Sequence, residues 1–221
     1  MKQIIMVLLG PQGAGKGTQA EYLTDHFGIP SVSIGSLLRA EIKAGTELGK
    51  KIAADVDSGK LVNQDITNAI IAAQLKQPEH ADGIILDGYP RDLIQAEALD
   101  EIAHVDALVA IDISDIESVN RLSRRLVCSK CGKNYNEVSL PPATAGICDK
   151  DGAALTKRKD DEPDAIRDRL QTYHKETEPI IDYYQKQGIV ARVNGEQPIV
   201  EVHEAIVLEL KRSCGIEKAR E

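Results

Sequence analysis

The sequence contains no tryptophan, one phenylalanine and two methionines in 221 residues. Its core must therefore be aliphatic, and no aromatic platform for stacking chemistry can be read from it. Long apolar runs are missing too. The longest, Ile4 to Leu9, falls far short of the ~20 residues a bilayer helix needs, and no basic start with a small-residue cleavage site marks a leader. The expectation is a cytoplasmic chain with no membrane partner. There is no surplus of positive charge: 35 acidic residues face 27 basic ones, for a net charge of -8. That balance argues against a surface that coats nucleic acid, although a local basic cleft can sit within an acidic exterior. Structural disulfides are not expected from four cysteines in a reducing compartment. Three of the four are grouped, and Cys214 stands apart and is read as inert. What remains is an ordinary soluble composition, 42 % hydrophobic and 28 % charged, sufficient for one large domain or one domain with inserts.

Against that background the segment Gly10-Pro11-Gln12-Gly13-Ala14-Gly15-Lys16-Gly17-Thr18 stands out. It lies between the apolar run ending at Leu9 and a helical pattern from Gln19 to Phe27. Glycines let successive backbone N–H groups curl around phosphate oxygens, the helix N-terminus adds partial positive charge, and Lys16 supplies a full one. Strand, glycine loop, lysine and helix occur in the order a phosphate-binding P-loop requires, whereas a bare glycine turn at a strand end would need none of them. The usual hydroxyl directly after the lysine is replaced by Gly17 and delayed to Thr18. Mg²⁺ is then expected on phosphate oxygens and waters, oriented by a carboxylate in its outer shell, for which Asp87 is the candidate.

Short apolar runs recur at Ile4 to Leu9, Val32 to Ile34, Gly83 to Leu86, Leu108 to Ile113 and Ile189 to Val193, separated by helical patterns. The alternation predicts an α/β fold, a five-stranded parallel sheet covered by helices on both faces. A long helix is expected from about Asp164 to Gln187, and another from Pro198 with Ile199, Val202, Ile206 and Leu210 on its buried side. Two stretches break the rhythm and read as inserts: Gly35 to about Gln77, helical throughout, and Cys128 to Asp161, rich in turn residues. In parallel sheets, ligands bind at the carboxyl ends of strands, where the P-loop and the turn after Asp87 should meet. The last residues, Gly215 to Glu221, are expected to fray.

Cys128-Ser-Lys-Cys131 is followed sixteen residues later by Cys148-Asp-Lys-Asp151. Two ligand pairs at matched spacing can form tight knuckles, with a small β-hairpin between them, around a tetrahedral centre. Thiolates select Zn²⁺ or an iron cluster, and the oxygen ligand at Asp151 favours zinc. Four protein ligands leave no open position, so the metal's job would be folding a segment too small to hold itself.

Phosphoryl transfer needs substrates aligned and the charge of the transferring group neutralised. Arginine suits that task. Arg121 and Arg125 are spaced four apart on a helical pattern from Asp115 and are expected on one face. Arg39, Arg91, Arg158 and Arg169 lie near the other motifs.

With these residues the chain resembles the adenylate kinases, specifically the long form with a zinc-bearing lid common in bacteria. The match runs from the P-loop to the turn Asn194-Gly195-Glu196-Gln197. It includes Ile84-Ile85-Leu86-Asp87-Gly88-Tyr89-Pro90-Arg91 followed by Gln95, and the lid ligands Cys128, Cys131, Cys148 and Asp151. The resemblance implies a P-loop kinase fold in which residues 1–32, 63–123 and 162–213 form the core. Residues 33–62 would be the AMP-binding insert, 124–161 the zinc-bearing lid and 214–221 a tail. It implies reversible Mg²⁺-dependent transfer, ATP + AMP = 2 ADP, by a monomer. By similarity Gly13, Ala14, Gly15, Lys16, Gly17, Thr18, Arg121, Arg125, Asn134, Tyr135 and Gln197 hold ATP. Ile34, Arg39, Lys60, Leu61, Val62, Gly88, Tyr89, Pro90, Arg91, Gln95, Arg158 and Arg169 serve AMP. Lys16, Arg91, Arg125, Arg158 and Arg169 neutralise the reacting phosphates, and Asp160 with Asp161 orients the arginines at the lid hinge.

Several positions depart from the family pattern. Ile34 stands where the family has a threonine that contacts the nucleotide, Ser36 replaces a carboxylate, Leu126 replaces an arginine, and Gln12 stands where proline is common. These bear on base preference more than on reaction type. A kinase for UMP or CMP is the near alternative, and a P-loop module gripping nucleic acid with its zinc knuckle is the distant one. The acidic balance and the lack of clustered aromatics count against the latter.

Overall fold

In the computed structural model, which describes residues 3–217, the P-loop hangs from the middle strand of a five-stranded parallel sheet. The strands are β1 (Ile4–Leu9), β2 (Ser31–Ser33), β3 (Gly83–Asp87), β4 (Ala107–Asp112) and β8 (Val190–Asn194), in the order β2-β3-β1-β4-β8. Every pairing is parallel, and the register sets Leu8 beside Asp87. Adjacent strands thus end at one level, bringing the P-loop and the turn after Asp87 together.

The sheet is buried on both faces. Ile5, Val7 and Leu9 enter one core with Ile84, Leu86, Leu108 and Ala110, while Met6 and Leu8 enter the other with Ile85, Val109 and Ile111. That two-residue alternation inside continuous apolar runs is what a sheet covered on both sides requires.

Three helices between β2 and β3 make the first insert: α2 (Ile34–Ala44), α3 (Glu47–Ser58) and α4 (Gln64–Leu75). Their starts follow local chemistry. Thr46 Oγ1 accepts from the Gly49 N–H, and Asn63 Oδ1 from the Asp65 N–H, satisfying donors that a helix N-terminus leaves free. Around these lie α1 (Lys16–Phe27), α5 (Leu93–Ile102), α6 (Asp115–Ser123), α7 (Pro163–Thr172), α8 (Pro179–Gln185) and α9 (Ile199–Cys214). A small antiparallel sheet, β6-β5-β7, occupies the second insert, from β5 (Arg125–Cys128), β6 (Asn134–Asn136) and β7 (Leu155–Thr156).

Five expectations need correction. The first helix begins at Lys16, not Gln19, because Gly15 at φ 90° can serve as a left-handed N-cap. Ile34 does not end a strand but opens α2. Arg121 and Arg125 do not share a helical face: α6 ends at Ser123 and Arg125 begins β5. The long helix from Asp164 is interrupted by a π-turn at Tyr173–Thr177. The tail is not frayed over 215–217, since Ile216 packs against the second core and Lys211 pairs with Glu217 at 3.1 Å. Residues 218–221 of the expected tail lie outside the described residues. No helix among the described residues is long and apolar enough to cross a membrane.

Candidate functional site

A cleft of 1140 Å³ opens at the carboxyl ends of β1 and β3. The P-loop forms its floor. Ser118 of α6 fastens that loop by donating to the Gln12 carbonyl, and Arg121 bonds to Gly195 O at 2.8 Å while its Nε meets Glu117 at 2.6 Å. Gln19 of α1 donates to Ile199 O at 2.9 Å. The loop, the first helix and the turn before α9 are thus one braced unit. Gly17 faces the carboxylate, as a β-carbon there would lie 3.8 Å from Asp87 Oδ2.

Lys16 Nζ donates to Gly10 O at 2.7 Å and Pro11 O at 2.9 Å. Burial lowers its pKa from the ordinary 10.5 to about 8; Asp87 opposes that shift, while Arg91, Arg169 and Arg125 add to it. Burial likewise pushes Arg39, Arg91, Arg158 and Arg169 below the ordinary arginine range, with repulsion from neighbouring arginines adding to each. Such a cluster carries an electrostatic load that an arriving polyanion relieves.

Two aspartates space the arginines. Arg125 Nε donates to Asp161 Oδ2 at 2.8 Å and a second guanidinium nitrogen reaches Oδ1, a two-point clamp on a carboxylate whose side chain is only 2 % exposed. Arg169 Nη1 meets Asp160 Oδ2 at 3.1 Å and Asp161 Oδ1 at 3.4 Å. Arg158 donates to Asn134 Oδ1 at 2.6 Å, and Arg91 Nε to Gly88 O at 2.8 Å. The first insert abuts this cluster: Gly59, at φ 74°, lies where a β-carbon would fall 2.4 Å from Arg169 Cδ.

The structure brings the sequence-predicted nucleotide residues into this one cleft. Its lining includes Gly13 to Thr18, Ile34, Arg39, Lys60 to Val62, Asp87 to Arg91, Gln95, Arg121, Arg125, Asn134, Tyr135, Arg158, Asp160, Arg169 and Gln197. Tyr135 differs in one respect. It is 3 % exposed, and its hydroxyl is spent inside the cysteine knuckle, 3.4 Å from Cys148 Sγ and accepting from the Asp149 N–H at 2.9 Å.

Sequence reasoning missed the polar network under Gln95. Arg91 N–H donates to Gln95 Oε1 at 2.8 Å, while Gln95 Nε2 reaches Thr67 Oγ1 at 3.3 Å. Asp92 accepts from the Gln95 N–H and from Gln64 Nε2, both at 2.8 Å, and Tyr89 OH donates to Asn68 at 2.7 Å. The Asp92-to-Gln95 spacing is an N-cap signal that a closer reading finds. Thr67 and Asn68 give no such signal, because their partners, Gln95 on α5 and Tyr89 in the loop before it, lie more than 20 residues away in sequence.

Cys128, Cys131, Cys148 and Asp151 form the one candidate metal-ligand group among the described residues, with ligand atoms all within 4.8 Å of one another. Cys131 and Cys148 sulfurs are 3.7 Å apart, and Cys128 Sγ is 3.3 Å from Asp151 Oδ1. A tetrahedron with Zn–S bonds of ~2.3 Å has S–S edges of about 3.8 Å, so the donor set fits a zinc ion.

Sheet order, a P-loop lysine followed by glycine, and arginines converging from several distant segments define a P-loop nucleoside monophosphate kinase. Comparison with known sequences narrows the class. A family profile described as adenylate kinase matches residues 8–189. Among relatives, the adenylate kinase of Desulfitobacterium hafniense (strain DSM 10664 / DCB-2) is 42 % identical over 206 residues, 91 % of this chain and 95 % of its own length. That of Methanothrix thermoacetophila is 44 % identical over 206 residues, again 91 % and 95 %, and that of Methanosarcina barkeri 42 % over 212 residues, 94 % and 98 %. The chain belongs to the adenylate kinase family.

Proposed function

We propose that the cleft aligns ATP and AMP on opposite sides of Asp87 and Arg91 and transfers the γ-phosphoryl group between them, ATP + AMP = 2 ADP. The observation that carries this reading is the buried lysine and arginine cluster between the P-loop and the first insert, cationic groups held close against their mutual repulsion. The donor triphosphate lies on the P-loop, with Lys16 swinging from the Gly10 and Pro11 carbonyls to its oxygens. Arg121, Arg125, Asn134 and Gln197 line the donor side. The acceptor sits against Ile34, Arg39, Lys60 to Val62, Gly88 to Pro90 and Gln95, the amide of Gln95 reading the base from the network described above.

In-line transfer spreads charge over three equatorial oxygens. Arg91, Arg125, Arg158 and Arg169 offer fixed donors to that charge, with Asp160 and Asp161 setting the directions of Arg125 and Arg169, so little reorganisation remains for the reaction itself. Mg²⁺, held with the nucleotide near Asp87, would neutralise further phosphate charge. Residues 124–161 act as a lid and 33–62 as an AMP-binding insert, both closing to exclude water that would otherwise hydrolyse the donor. The knuckle carries structural Zn²⁺. The enzyme works as a cytoplasmic monomer without nucleic-acid or membrane partners.

Initial rates with ATP and each of AMP, GMP, CMP and UMP test the proposal. AMP should exceed the others by orders of magnitude. Faster transfer to UMP or CMP would move the assignment to the alternative kinase, the change falling at Ile34.

A further inference from the structure

Lys43 lies in the last turn of α2, where a lysine ordinarily serves the free carbonyls of its own helix end. Two of those carbonyls are already bonded: Glu41 O accepts from the Thr46 N–H at 3.3 Å and Ile42 O from the Gly45 N–H at 3.1 Å. Lys43 Nζ leaves its helix and donates instead to Ser129 O at 3.1 Å and Lys130 O at 3.2 Å. Both acceptors sit in the turn between Cys128 and Cys131, 86 and 87 residues further along the chain.

The direction of those carbonyls has a cause inside the turn. The N–H groups of Lys130 and Cys131 each donate to Cys128 Sγ at 3.4 Å. In a trans peptide the N–H and C=O point opposite ways, and Tyr89-Pro90 is the only cis bond among the described residues. Two amides turned toward the sulfur therefore turn the Ser129 and Lys130 carbonyls outward, and Lys43 sits where they converge.

We infer that Lys43 is a positioning residue that docks the AMP-binding insert onto the metal knuckle of the lid. One ammonium group then links acceptor binding, lid closure and metal retention. The inference rests on the two-substrate reading above. The ion would do more than fold the lid, because the turn around its first cysteine becomes a receptor for the opposite insert.

Calorimetric titration of AMP into zinc-loaded protein, with and without a saturating β,γ-methylene analogue of ATP, reads the coupling. The analogue is expected to tighten AMP binding in the wild type. Lys43→Met should cut that tightening about fivefold, the size of an exposed charge-assisted contact, and leave AMP affinity without the analogue unchanged. Lys43→Arg should restore most of it. Zinc release to a chromogenic chelator gives a second readout: AMP plus the analogue should slow release from the wild type, with Lys43→Met losing about fivefold of that slowing. Equal tightening and equal release in wild type and Lys43→Met overturn the inference while sparing the assigned reaction. Failure of AMP and the analogue to bind the wild type at all overturns both.

Discussion

Raising the pH should disarm the P-loop before it disturbs the fold. Lys16 has a pKa of about 8, set chiefly by burial, with Arg91, Arg169 and Arg125 outweighed as causes by that desolvation. At pH 9.5 a group titrating at 8 is protonated in about one molecule in 30, so kcat/KM for ATP should fall about 30-fold between pH 7 and 9.5. Bound phosphates restore a favourable partner to the ammonium and raise its pKa again, so kcat at saturating ATP should stay level over the same range. Stability moves the other way. The folded value lies below the unfolded 10.5, so the unfolded chain binds more protons between them, and Lys16's own contribution to stability rises with pH from about 8 upward. Steady-state kinetics across pH 7 to 9.5, with melting curves in the same buffers, separate the two effects. In Lys16→Arg the cation does not titrate, so whatever kcat/KM remains should show no limb near pH 8. A flat wild-type kcat/KM to pH 9.5, or an unchanged limb in Lys16→Arg, would refute the assignment of that pKa to binding.

Two further outcomes are expected. Purified protein should hold about one zinc per chain, and chelation should lower the melting temperature by roughly 10 °C, since several kcal/mol of binding stabilise the knuckle; an unchanged melting curve would leave the cysteines without a metal. Asp161→Asn keeps the side-chain shape but removes the carboxylate between Arg125 and Arg169, and turnover should fall on the order of 100-fold as the guanidinium groups lose their alignment. Normal turnover in that variant would show that the arginines need no such anchor.

Much of the site was legible in the sequence because its chemistry is local. The P-loop, the Asp87-to-Arg91 turn and the paired cysteines each carry their pattern within a few residues and come together in the fold, and the five apolar runs correspond to the five strands of the sheet. What stayed hidden depends on contacts between distant segments. Arg125 fell outside α6 because Arg125-Leu126-Val127 pairs with Asn134-Tyr135-Asn136 as strand, a tertiary preference that overrode helical spacing. The π-turn at Tyr173–Thr177 left no mark in periodicity, although it sets Thr177 Oγ1 2.6 Å from the Arg91 carbonyl. Thr67 beneath Gln95 was invisible for the same reason. Residues 215–217 were misread because Ile216, partly buried, packs against the second core.

The central place of β1 bears on how such enzymes diversify. Its neighbours part to either side, β3 and β2 on one flank and β4 and β8 on the other. The helical insert hangs from the first flank, between β2 and β3; the cysteine-bearing one hangs from the second, between β4 and β8. Drift or exchange of either segment leaves the shared strand and its glycine loop untouched. Two substrates can therefore change under separate selection in descendants that keep one phosphate-handling centre.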